Sequence, residues 1–405
     1  MCKVFDFWIR LHANIKQQLP EWHKIRPAIN RQDGYAEETR PDMMSIASLV
    51  TRHPWLMACL LFWLAPAAHA ASSCVVLQYH HISNHTPALT SVTVEQFSEH
   101  MDYLRQNGFS VLPLREVVQA ITNHGKLPEK CVSLTVDDAY LSVYENAFPL
   151  LKSLGWPLTV FVNSEAVDKG ISAFMTWDQM REMSRSGVVF ENHGHGHIHL
   201  IREKPGESPA AREKRIRDDI LTAQQRITRE LGKAPALFAH PYGEFDTQVK
   251  NIIRSIGLTG FGQQSGPVWP GADTGALPRF PMNTRYAGME GFRTKVNSLP
   301  LAVVRADPGD PLVPLRQKRP VLTLTLQGGS YSRPALTCFV NGRTDVSITW
   351  AQDTPDQLTV KPDFDLSPGR SRTNCTMPSP EAGRFYWYSH NWFIRNPDGS
   401  WYPEY

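Results

Sequence analysis

The chain has 405 residues, 41% of them hydrophobic, and its 42 Lys plus Arg against 39 Asp plus Glu leave a formal net charge of +3. Length, mixed apolar content and balanced charge exclude a disordered or fibrous protein and leave room for two or three domains with a real core. Residues 1–70 carry 8 Lys/Arg and 6 Asp/Glu, so the rest is almost neutral and offers no electrostatic footprint for a nucleic-acid backbone.

From Pro54 to Ala67 the chain reads PWLMACLLFWLAPA, preceded by Arg52 and His53 and followed by Ala68-His69-Ala70. An uncharged run of this length, too short to span a bilayer comfortably and ending in Ala-x-Ala, predicts a secretory signal over residues 44–70 cut after Ala70. Residues 1–43 then read as an extension from a start assigned too early, since Met43 or Met44 gives a signal of ordinary length. Two alternatives stay open: an uncleaved anchor, which would be the chain's one membrane contact, and lipid attachment at Cys74. The expected location is the periplasm or the exterior. In an oxidising compartment the remaining Cys74, Cys131, Cys338 and Cys375 are candidates for two disulfides, four free thiols being the bland alternative. Cys74 and Cys131 each stand just before an apolar run, so they meet if those runs are parallel neighbours; Cys338 and Cys375 would staple the C-terminal segment.

Beyond residue 70, short β-branched runs alternate with helical patterns. In order come VVLQY, the helical VEQFSEHMDYLRQ, CVSLTV, LTVFV, GVVFE, a charged helix around residues 212–231, ALFAH and the helical VKNIIRSI. Such β/α alternation predicts a mostly parallel sheet or barrel whose chemistry sits at the C-terminal strand ends. We expect this domain over residues 71–300, a Pro-rich linker over 301–318, and a small β-sandwich over 319–405 built from VLTLTL, ALTCFV, VSITW, QLTVKP and GRFYWYSHNWFI. Trp387, Trp392 and Trp401 invite a carbohydrate-binding reading of that sandwich, but a small β-domain needs aromatic core residues whatever its function.

Three constellations share the position at or just past a predicted strand end. In Thr135-Val136-Asp137-Asp138 two adjacent carboxylates repel unless a cation or proton relieves them, so one as metal ligand and one as base is a natural division, although an isolated Asp-Asp pair is more often a solvated turn. His193-Gly-His195-Gly-His197-Ile-His199 packs four imidazoles into seven residues. An extended chain points all four to one side, whereas a turn at the glycines lets His193 and His197 converge; either favours a metal. Asp138 with two of these histidines makes one oxygen and two nitrogen donors, a set that leaves a position open for chemistry. Third, Leu77-Gln78-Tyr79-His80-His81 ends the first strand with a histidine pair able to supply a proton near neutral pH.

Asp137-Asp138, His193 and His197, and Pro241-Tyr242-Gly243 together resemble the polysaccharide deacetylases with the NodB homology domain, carbohydrate esterase family 4, over about residues 72–300. The resemblance implies a distorted (β/α) barrel followed here by the β-sandwich, and removal of acetyl groups from an N-acetylated amino-sugar polymer with a divalent ion, zinc first and cobalt or nickel as alternatives. It assigns the ion to Asp138, His193 and His197, the base that activates water to Asp137, and the oxyanion donor to the backbone N–H of Tyr140. The family's last motif, Leu-x-x-His, finds no match after Gly243 but fits Leu77–His80, an order that resembles the biofilm poly-N-acetylglucosamine deacetylases; His80 is thus the expected acid, with His81 second. Tyr140, Trp177 and Tyr242 are placed near the groove. Val136 and Ala139 replace the usual Phe and Gly. More seriously, Ala239-His240 stands where an Arg is expected before Pro-Tyr-Gly, and Arg279 in LPRFP is the candidate to orient Asp137 instead. Two other readings stand beside this one: a polysaccharide-binding protein with a degenerate site, for which the missing Arg argues, and an unrelated metal-dependent amidohydrolase.

Overall fold

The apolar runs of the first half become strands, and the central β1, β5 and β6 among those named next are buried on both faces, as parallel strands covered by helices must be. They are β1 (Val75–Tyr79), β2 (His81–Ile82), β3 (Ser91–Val92), β4 (Ser110–Val111), β5 (Cys131–Val136), β6 (Thr159–Val162), β7 (Val189–Asn192), β8 (Leu237–Ala239), β9 (Thr259–Phe261) and β10 (Phe280–Pro281). The computed structural model describes residues 73–328 and 331–403. The extension and signal expected over residues 1–70 lie outside the described residues.

Eight strands form one all-parallel sheet in the order β10-β1-β5-β6-β7-β8-β9, with β4 also on β5. The segment carrying β10 reaches both ends of that path: Leu277 bridges Phe261 of β9, and Phe280 and Pro281 pair with β1. This is a half-barrel of parallel strands drawn toward closure. Val75 is in register with Val132, so the preceding cysteines are neighbours, and Cys74 and Cys131 are joined as a disulfide.

Helices cover the sheet, two of them opened by a full capping box. Thr93 with Gln96 and Thr176 with Gln179 form capping boxes at α1 (Val94–Gln106) and, after α2 (Leu114–Thr122), α3 (Phe148–Leu154) and α4 (Ser164–Asp168), at α5 (Trp177–Arg185). The 23-residue α6 (Pro209–Leu231) buries Ile216, Ile220, Ala223 and Ile227, a single stripe at helical spacing. Two shorter helices follow, α7 (Thr247–Ile256) and α8 (Met289–Val296).

Beyond them lie β11 (Leu299–Pro300), β12 (Val303–Asp307), β13 (Leu322–Leu326), β14 (Thr337–Val340), β15 (Val346–Trp350), β16 (Gln357–Pro362), β17 (Gly369–Pro378) and β18 (Phe385–Ile394). They make two four-stranded sheets, β11-β18-β17-β14 and β12-β13-β16-β15. Leu322, Leu324, Leu358 and Val360 of one share a hydrophobic cluster with Val340, Met377 and Trp392 of the other, and Cys338 is disulfide-bonded to Cys375 directly across β14 and β17.

The expected linker over 301–318 is corrected here. It contains β12, and its Leu301, Val303 and Val313 are buried in the C-terminal cluster. The prolines misled because they sit between, not within, the residues that pair. Nor do the C-terminal sheets stand apart: Trp387 packs edge-on against Phe280 of the barrel, Phe393 joins the cluster beneath α6 and α7, and the described residues form one compact unit. No helix of the described residues is long and apolar enough to cross a membrane.

Candidate active site

Strand β5 ends at Val136, and the N–H of Asp137 still donates to the Tyr79 carbonyl, so the strand delivers two carboxylates at the sheet's C-terminal edge. The chain then turns sharply, with Asp138 at φ 72° and Ala139 at φ 59°. Left-handed backbone is disfavoured for residues with a Cβ and concentrates where surroundings enforce it. His197 and Tyr242, also near this site, share it with φ 48° and 60°.

The turn separates the two carboxyls. Asp137 is fully buried and gripped by Arg279, whose Nη1 and Nη2 donate to Oδ1 and Oδ2 at 2.7 and 2.8 Å, while Gln78 Nε2 donates to Oδ2 at 2.6 Å. Burial opposes the charge of Asp137, but Arg279, followed by His193, outweighs it and holds the carboxyl well below the usual range. Arg279 is itself anchored, with Nε donating to the Gly262 carbonyl and Nη1 to Thr135 Oγ1. His240, standing where the family pattern has its Arg, is turned away: its Nε2 is 2.9 Å from the Gly275 carbonyl oxygen and its ring lies against Phe238 and Phe245. The guanidinium therefore reaches Asp137 from the residue just before β10.

Past β7 the chain folds back at the glycines, so the four histidines do not line one side. Asp219 of α6 accepts from the N–H groups of His195 and Gly196, and a Cβ at Gly194, φ 78°, would fall 2.6 Å from its Oδ2. Glycine is required there. The turn brings His193 and His197 together against Asp138, their Nε2 atoms 3.5 and 3.3 Å from Oδ1, while His195 meets Ser164 and His199 meets Glu244. Potential ligand atoms of Asp138, His193 and His197 all lie within 4.8 Å of one another.

The electrostatics of that trio fit a cation. Asp138 is pushed up to about 6, by burial first and by Asp137 as well, with His80 opposing, and burial pushes His193 down to about 3. A carboxyl short of positive charge thus faces an imidazole kept neutral, with its lone pair free to ligate. His193 Nδ1 lies 2.8 Å from the Ala239 carbonyl oxygen, which fixes the ring and leaves Nε2 facing Asp138. Asn163 Nδ2 is 3.4 Å from Asp138 Oδ1.

His80 follows β1, and its charge lowers the pKa of both Asp137 and Asp138. The neighbouring His81 is stacked on Tyr140 at 3.6 Å and is pushed down to about 4 by burial and then by His80. Tyr140 hydrogen-bonds Asp138 through its side chain and packs on Phe174. Tyr242 stands edge-on to His197 at 4.4 Å and stacks on His199 at 3.8 Å. Trp177 opens α5, where its indole N–H donates to Asp168 and Arg226 lies over its ring. Gln78 escaped sequence reasoning, although a lone amide in the apolar run VVLQY was the available signal. Asp219 and Asn163 had none.

A polysaccharide deacetylase family model matches residues 124–261, a span that carries Asp137, Asp138, His193 and His197. Over that span the chain is similar to the polysaccharide deacetylase family. It is 29% identical over 184 residues to YxkH of Bacillus subtilis, named as a polysaccharide deacetylase, covering 45% of this chain and 61% of that protein. It is 28% identical over 196 residues to a poly-beta-1,6-N-acetyl-D-glucosamine N-deacetylase of Staphylococcus aureus, covering 47% of this chain and 67% of the relative. Among solved structures, IcaB of Ammonifex degensii is similar at 27% identity and a TM-score of 0.47, over 53% of this chain and 94% of that one.

Proposed function

We propose that this protein is a metal-dependent hydrolase that removes acetyl groups from an N-acetylglucosamine-containing polysaccharide. The single observation that carries the reading is the division of labour between adjacent carboxyls: Asp138 converges with His193 and His197, while Asp137 is locked to Arg279 beside them. A pure metal-binding scaffold has no use for the second carboxylate. The names of the relatives support the substrate class. The grip of Arg279 on Asp137 weighs against reading the missing third-motif Arg as a sign of a degenerate site.

Asp138, His193 and His197 would hold the ion, with zinc the first expectation for one oxygen and two nitrogen donors. Bound there, a divalent ion supplies Lewis acidity toward an acetyl carbonyl and makes water more acidic. Asp137 takes the proton of the attacking water as its oxygen adds to the carbonyl carbon. Arg279 keeps that carboxylate ionised and aimed, which guarantees a vacant base and lowers its basicity. The N–H of Tyr140 faces the oxyanion. His80 passes a proton to the sugar nitrogen as the C–N bond breaks, so acetate and a free amine leave. Tyr242 offers a ring for sugar stacking.

The two disulfides fit an exported protein, periplasmic or secreted, that touches the membrane only if its signal segment stays uncleaved. The two C-terminal sheets, sharing one cluster, fit a β-sandwich that begins nearer residue 299 than 319. The test is acetate release from defined N-acetylglucosamine oligomers by the chain beginning at Ala71, with metal content measured on the same sample. Metal-dependent release is expected. Bound metal with no release from any oligomer length would sink the catalytic reading.

A further inference from the structure

The two histidines of the trio are secured in unlike ways. His193 extends β7 and is fixed through its ring by the Ala239 carbonyl. His197 lies four residues on, in left-handed backbone, with a side chain 23% exposed. From its ring a continuous series of contacts runs outward. Tyr242 stands edge-on to it at 4.4 Å, and His199 lies parallel to Tyr242 at 3.8 Å. His199 Nδ1 is 2.7 Å from Oε2 of Glu244, and Tyr402 Oη donates to Oε1 of Glu244 at 2.6 Å. Arg370 of β17 donates to the Tyr242 carbonyl at 3.2 Å and lies 3.8 Å from Glu244 Oε1.

Glu244 is fully buried. A buried carboxylate persists only when donors and cations match it, and here two of its partners arrive from the far C-terminal segment. The relatives align with less than half of this chain, and that segment lies well beyond the matched family span. We infer that the C-terminal segment is part of the catalytic scaffold: Tyr402 and Arg370, acting through Glu244, His199 and Tyr242, are positioning residues for the metal ligand His197. This rests on the metal reading given above. It gives the C-terminal sheets a task that needs no ligand of their own, since their chain end is what fixes the orientation of a ring on the barrel. Groups behind a ligating histidine typically change metal affinity by 10–100-fold when lost.

The test is Co2+ titration of the chain beginning at Ala71, followed by calorimetry and by the visible absorption of the bound ion, in the wild type and in Glu244→Gln, Tyr402→Phe and Leu324→Ala. Glu244→Gln is expected to weaken Co2+ binding about tenfold and to shift the absorption band. Tyr402→Phe should move both in the same direction by less. Leu324→Ala, in the C-terminal core, should lower the melting temperature and leave both unchanged. Wild-type affinity and spectrum in Glu244→Gln and Tyr402→Phe, whatever their melting temperatures, would overturn the inference; should Glu244→Gln fail to fold, Tyr402→Phe decides alone. If wild type and variants alike bind no Co2+, the metal reading itself has failed, and the absence of any difference between them identifies that case.

Discussion

The edge of the barrel and the core of the C-terminal sheets are both buried, yet they bury opposite things. At the C-terminal strand ends of the barrel Asp137, Arg279 and Glu244 are fully enclosed, Asp137 paired with Arg279 and Glu244 with Arg202 and His199. The C-terminal core is Leu, Val, Met and Trp closed by a disulfide. Buried ion pairs seldom stabilise more than apolar residues of equal volume. A fold that concentrates them at one strand end holds charge ready for chemistry there, whereas the C-terminal sheets follow the cheaper course of apolar packing. Aromatic content does not make this distinction: Trp392 is simply core, 1% exposed.

The contrast can be attacked at its strongest point first. His193→Ala removes a ligand from the trio, and the ion is expected to be lost along with turnover, on the order of a thousandfold. Full metal stoichiometry in that variant would show that the three residues do not form the site. Arg279→Met leaves Asp137 buried and uncompensated and should cost about 3–5 kcal/mol of stability, read from urea unfolding. In the C-terminal core Leu324→Ala should cost about 2–5 kcal/mol while turnover per folded molecule stays at the wild-type level; a fall in turnover at temperatures well below melting would erase the difference between the two regions. Asp137→Asn should retain the metal and lose roughly a hundredfold in turnover, and persistent activity would remove the base from Asp137.

A further effect is one of pH and distinguishes neither region. Burial pushes His100 and His240 down to about 4 and His390 to about 3, from an ordinary value of 6.5. The unfolded chain therefore binds protons there that the folded chain refuses. Stability is complete above about pH 6.5 and falls as pH drops toward 4. Melting temperatures recorded between pH 7.5 and 4.5 should decline steadily, and a flat profile would contradict the burial of these rings.

What the sequence disclosed follows from distance along the chain. Asp137-Asp138 and the histidine cluster are contiguous, so their chemistry is visible as a pattern, and the uninterrupted apolar runs announce strands buried on both faces. Which two of the four histidines converge depends on Asp219, more than twenty residues away on α6, and no local rule contains that contact. An aromatic at a helix start, such as Trp177, looks the same in sequence whether it binds sugar or packs. The linker expectation failed on prolines that punctuate strands rather than replace them. Arg279 could be nominated by elimination, but only the pairing of β10 with β1 brings it to Asp137.

That pairing also fixes when the site can exist during folding. Asp137 and Arg279 are 142 positions apart, and their contact requires β10 to have found β1. Closing so long a loop is unfavourable until other contacts already hold the ends near each other. A chain in which β10 has not reached β1 therefore has Asp137 without its Arg279 partner, and the pair forms only as the barrel is drawn toward closure. The Asp137–Arg279 pair reports a finished barrel.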